Sequence, residues 1–101
     1  MATVIYGMLK DEKQRNLEMQ ETYKREIEIL RKGSISEKTI SGKTYYYLKY
    51  RQDKKVKNDY IGKDKNSVME IKREIERRKY LQGVLKRLKI EYRQICIIVK
   101  D

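Results

Sequence analysis

One run constrains this chain more than any other: Lys43-Thr-Tyr-Tyr-Tyr-Leu-Lys-Tyr-Arg51. It is dense in β-formers and too rich in adjacent aromatics for a surface helix. Side chains alternate along a strand, so Tyr45, Tyr47, Lys49 and Arg51 share one face, while Tyr46, Leu48 and Tyr50 share the other. Ser34 to Ile40 reads as a second strand, and Ser41-Gly42 between the two suits a tight hairpin. A two-residue turn there sets Ile35 opposite Leu48 and Lys38 opposite Tyr45. After Arg51, Gln-Asp-Lys-Lys is a polar turn, and Val56 to Ile61 makes a third strand ending at Gly62. The expectation is a three-stranded meander over 34–62, with the Leu48 face packed and the Tyr45 face presented.

Both flanks carry helical periodicity. Residues 8–32 predict one helix, with Met19, Tyr23, Ile27 and Leu30 on its apolar face and charged residues between them. Residues 10–16 have no apolar anchor, and those before Met8 read as a short strand or a disordered lead. Arg31, Lys32 and Gly33 suggest a basic, Gly-capped C-terminus. A second helix is predicted from Ser67, where Ser67-Val-Met-Glu70 fits a capping box, over 67–94 or longer. Val68, Ile71, Ile75 and Arg78 follow a three–four repeat. Leu81, Leu85, Leu88, Tyr92, Ile95 and Val99 continue one with a small phase shift, a coiled-coil-like seam that tolerates Gly83. Ile95 to Val99 is apolar on every face and reads as helix end or short strand. The predicted fold is α+β and a single domain over 1–101: an antiparallel helical hairpin with a three-stranded antiparallel β-meander between the two helices.

The segment Gly33-Ser-Ile, Tyr45-Tyr-Tyr-Leu48, Arg51, Lys55-Val56 and Tyr60-Ile-Gly62 resembles a family of small bacterial and mobile-element proteins. These share the same meander flanked by charged helices. The resemblance implies an architecture, not an activity. One departure is the turn before Val56, Gly-rich in similar sequences and here Asp53-Lys54-Lys55, which leaves the register of the third strand open.

Absent residue types narrow the chemistry. The chain has no His and one Cys. It therefore lacks imidazole acid–base catalysis, Ser–His and Cys–His pairs, a disulfide framework and the usual Cys/His zinc patterns. Cys96 sits in an apolar run and reads as a small hydrophobe. No Gly-x-x-x-x-Gly-Lys-Ser/Thr loop occurs, and the carboxylates are scattered among basic residues. The expectation is a non-enzymatic protein with no cofactor and no metal. No signal peptide or membrane-spanning run is evident, so the default is a cytoplasmic protein with no membrane partner.

Charge points toward a partner. The chain carries 26 Lys and Arg against 15 Asp and Glu, a formal charge of +11. It divides unevenly: +1 on the first 33 residues, +5 on 34–66 and +5 on the remainder. A basic, tyrosine-rich sheet face suits nucleic acid, DNA or RNA. Lys and Arg neutralise phosphate and release counterions, while Tyr rings stack on bases. The principal residues are Tyr45, Tyr47, Lys49 and Arg51, with Lys38, Lys43, Lys57, Arg73 and Arg77 as supporting phosphate contacts. A mobile-element regulator is one form of this reading. The competing reading is a solvated hairpin whose lysines serve solubility.

A rival class is a protein-interaction module, in which the tail residues Ile95, Ile98 and Val99 dock on a partner protein. Its sharpest form is a small phage-type inhibitor that docks on a nucleoprotein complex such as a CRISPR effector. A helical homodimer is the third reading.

Overall fold

The computed structural model describes residues 2–100. The order is α1 (Ala2–Ile29), β1 (Ser34–Ile40), β2 (Lys43–Gln52), β3 (Lys55–Gly62) and α2 (Lys65–Ile98). The expected α+β architecture is present: two helices flank one antiparallel sheet of order β1-β2-β3. The described residues divide into two compact units. One holds the chain up to Ile29 together with Tyr80 onward, and the other is Leu30–Lys79.

In the sheet unit the first hairpin has the expected register, with Ile35 opposite Leu48 and Lys38 opposite Tyr45. Ser41 and Gly42 both adopt positive φ, at 53° and 79°. That pair of left-handed residues matches the twist of the flanking strands, as a primed two-residue turn requires. The second turn achieves the same geometry without glycine, with Asp53 at φ 52° and Lys54 at φ 67°. A left-handed Lys is strained by its Cβ, a cost that Gly at this position would avoid. The third strand, whose register the sequence leaves open, sets Tyr60 opposite Tyr47 and Asn58 opposite Lys49. One extra residue, Ile61, lies between Tyr60 and Gly62, which pairs with Tyr46. Ile61 packs against the core.

That core is Leu48 with Ile71 and Ile75 of α2, joined by Ile35, Tyr50 and Ile61. The Leu48 face is thus the packed one, as expected. Polar contacts tie the chain after α1 to α2: the Arg31 guanidinium donates to Glu74 at 2.6 Å, and Arg78 donates to the Leu30 carbonyl at 2.9 Å. The second satisfies a carbonyl at a helix end, where no intrahelical donor exists.

Four local expectations are corrected. Helix α1 begins at Ala2 rather than residue 8 and ends at Ile29 rather than 32. Gly33 is therefore not its cap. Its φ of 119° is closed to L side chains, and an added Cβ would collide with the Lys49 carbonyl oxygen and Tyr50 Cβ. Helix α2 begins at Lys65, and its N-cap is Asp64 rather than Ser67. The Asp64 carboxylate accepts from the Asn66 backbone N–H at 3.0 Å and from the Ser67 hydroxyl at 3.2 Å. The carboxylate thus satisfies the orphan Asn66 N–H of the first turn, and the helix starts before Ser67. Finally, Met19 is exposed and lies off the inward stripe of α1.

In the helical unit Leu9, Lys13, Asn16, Gln20, Tyr23 and Ile27 of α1 are buried or half-buried in a regular four–three alternation, with Gly7 and Glu26 also half-buried. Asn16 and Gln20 are buried, at 2% and 7% exposure. Asn16 Nδ2 donates to the Leu88 carbonyl at 3.0 Å, and Gln20 Nε2 donates to Asn16 Oδ1 at 2.7 Å. The stretch that lacked an apolar anchor is anchored by amides. On α2 Leu81 and Leu88 are buried, as is Val99 just after it, and Leu85, Tyr92 and Ile95 are half-buried. This is the predicted seam. Residues 95–98 finish the helix rather than form a strand, and the Val99 N–H extends its bonding to the Ile95 carbonyl at 2.7 Å.

Candidate nucleic-acid interface

The register segregates charge across the two faces of the sheet. Residues directly opposite one another share a face, because pleating turns them the same way. The face away from α2 is built from Ser34, Ser36, Lys38 and Ile40 of β1, Lys43, Tyr45, Tyr47, Lys49 and Arg51 of β2, and Val56, Asn58 and Tyr60 of β3. It carries four basic side chains and no carboxylate. The sheet's two strand carboxylates, Glu37 and Asp59, pair with Tyr46 and Leu48 and so lie on the packed face. Every charge that the strands place on the presented surface is therefore positive.

Three tyrosines form its centre. Tyr60 stands 5.4 Å from Tyr47 and 6.4 Å from Tyr45 between ring centroids, with interplanar angles of 55° and 45°. Tilted pairs of this kind are favoured by the ring quadrupoles. Lysines hold two of the rings: Lys38 Nζ lies 5.1 Å from the Tyr47 centroid, and Lys63 Nζ lies 5.1 Å from that of Tyr45. Tyr45 and Tyr47 are half-buried by these neighbours, whereas Tyr60 remains 58% exposed.

On the packed face, Tyr50 has its pKa raised above the usual phenol value. The chief cause is its hydrogen bond to the Asp59 carboxylate, followed by partial burial and the negative charge itself. Deprotonating Tyr50 would place two anions side by side. This pair serves the packed side and leaves the presented face without an anion.

The structure brings together Lys38, Lys43, Tyr45, Tyr47, Lys49 and Arg51. It does not bring Lys57, Arg73 and Arg77 to them. Lys57 pairs with Tyr50 and lies on the packed face. Ile71 and Ile75 turn α2 toward that same face, so Arg73 and Arg77, two residues on from each, point away from the sheet. Sequence reasoning missed Tyr60 and Lys63. The alternation of β3 would have found Tyr60 had the register been fixed, whereas Lys63 reaches Tyr45 only because the bulge and Gly62, at φ 121°, redirect the chain.

Of the three tail residues, Val99 is fully buried and Ile95 half-buried, which leaves Ile98 exposed beside Ile97. Cys96 is half-buried and unpaired with any other cysteine. Among the described residues, no helix is long and apolar enough to cross a membrane.

The family model described as "Domain of unknown function (DUF6788)" matches residues 9–73, which span α1 from Leu9, the whole meander and the start of α2. No curated protein and no solved structure matches the chain.

Proposed function

We propose, for a chain that belongs to the DUF6788 family, that it is a non-enzymatic nucleic-acid-binding protein and that the Tyr45 face of its sheet is the contact surface. The observation that carries this reading is the segregation of charge. Lys38, Lys43, Lys49 and Arg51 share a face with three clustered tyrosines, and the strand carboxylates lie on the opposite side. Such a surface attracts an anionic polymer along its length. Cations neutralise phosphates while rings and hydroxyls engage bases and sugar. A solvated hairpin kept soluble by lysines has no need to exclude every carboxylate from one face. The basic side chains of α2 are then a separate field that steers approach without joining the contact. The reading fits a cytoplasmic protein.

Gel-shift titration at several salt concentrations tests it. With Lys63 added, the face offers five cations. Log affinity should therefore fall against log salt with a slope no steeper than about −3.5 on single strands or about −4.5 on duplex. Tyr47→Ala combined with Arg51→Ala should abolish the shift. Absence of binding at about 50 mM salt, where counterion release is strongest, would overturn the proposal.

A further inference from the structure

We infer that the face selects single-stranded nucleic acid, with unstacked bases laid on Tyr45 and Tyr47 and the backbone held by Lys49 and Arg51. This rests on the nucleic-acid reading above and names its substrate class.

Spacing makes the distinction. Tyr45 and Tyr47 are alternate residues of one strand, so their Cα atoms are separated by about 6.8 Å along β2. Successive bases in a duplex strand are about 3.4 Å apart. Two neighbouring bases that remain stacked cannot each meet one of these rings. A strand opened to twice that spacing can. A duplex also buries its base faces against one another, whereas single strands expose them to aromatic side chains.

The state of the rings agrees. The Tyr45 and Tyr47 rings stand beside Tyr60 and are otherwise met by the ammonium groups of Lys63 and Lys38. A cation of this kind is displaceable, because an exposed cation–π contact is weak. A base stacking on the ring takes the place of the ammonium. The freed lysine then lies beside the phosphate that follows. Tyr60, 5.4 Å and 6.4 Å from the two rings, walls the site on the β3 side and gives the strand a third aromatic contact. Lys49 and Arg51 continue the same face of β2 beyond Tyr47.

The full chain tests this in parallel titrations against three ligands. These are a single-stranded DNA of about 15 nucleotides, an abasic strand of the same phosphate number, and a duplex of the same length. The protein has nine tyrosines and no tryptophan, so ring stacking is read directly as quenching of tyrosine emission. The expected result is at least about tenfold tighter binding to the single strand than to either comparator, with quenching on that ligand alone. Tyr47→Leu, which keeps apolar bulk but removes the π-face, should erase the preference. Lys49→Ala should weaken all three ligands together. Equal or tighter binding to the duplex, without quenching, would overturn this inference and leave the nucleic-acid reading standing. No binding to any of the three at about 50 mM salt would overturn both.

Discussion

The rings of Tyr47 and Tyr60 stand 5.4 Å apart at 55°, across a β2–β3 pair whose register runs unbroken from the two-residue turn at Asp53-Lys54. Tyr60 enters the surface only through this pairing. Were β3 slipped by one residue, Asp59 would join the open face and place a carboxylate among the lysines. Register and electrostatics are thus one decision.

Tyr60→Ala should therefore lower affinity for single-stranded nucleic acid by about tenfold or more, and Tyr60→Phe should stay near wild type. Lys57→Ala removes the same charge as Lys49→Ala but from the packed face, so it should cost far less. Fluorescence anisotropy titrations check all four variants. Urea unfolding of Tyr60→Ala should show a stability loss of no more than about 1.5 kcal/mol, the scale of an aromatic pair.

Asn16 and Gln20 form a buried polar contact of α1 that the apolar periodicity could not show. Asn16→Ala removes the acceptor for the Gln20 amide and the donor to the Leu88 carbonyl. It should destabilise the protein by about 1–3 kcal/mol. The double change Asn16→Leu plus Gln20→Leu removes both polar groups and should be near neutral or stabilising. Chemical denaturation of the two variants distinguishes an unsatisfied amide from a lost contact.

Gly33 sits where the connection from α1 crosses over β2. Alanine there must adopt a left-handed φ and displace either its own Cβ or the Lys49 carbonyl. Gly33→Ala should cost at least about 2 kcal/mol, read as a lower urea midpoint. Gly83 supplies the contrast. It lies in the middle of α2 with open space around it, so Gly83→Ala should stabilise by about 1 kcal/mol.

The Tyr50–Asp59 pair predicts an alkaline limit. Its folded-state pKa is raised, so the folded protein holds the phenol proton more tightly than the unfolded chain. The stability this contributes is complete below the ordinary tyrosine pKa and is lost as pH rises through the higher folded value. The stability difference between wild type and Tyr50→Phe should be flat from neutral pH to about pH 9 and change only above about pH 10. Denaturation midpoints across that range check it, and a change centred at neutral pH would contradict the assignment.

The sequence by itself determined the elements, the β1–β2 register and the packed face. The alternation from Tyr45 to Arg51 and the two-residue turn at Ser41-Gly42 leave one consistent pairing, and a one-residue slip would expose Leu48. It also determined the seam of α2, because Leu81 to Val99 repeats at the helical period. Tertiary structure decided what periodicity does not encode. Polar residues can occupy an inward stripe when they bond one another, so Asn16 and Gln20 took the place where an apolar residue was sought. The N-cap went to whichever oxygen reached the first free N–H groups, and that was Asp64. The aromatic face was completed by Tyr60 and Lys63, which lie 13 residues or more from Tyr47 in the chain and meet the other tyrosines only through strand pairing, a bulge and one left-handed glycine. Contacts between residues distant in sequence depend on the register of the strands that carry them, and that register is fixed only when the whole sheet packs.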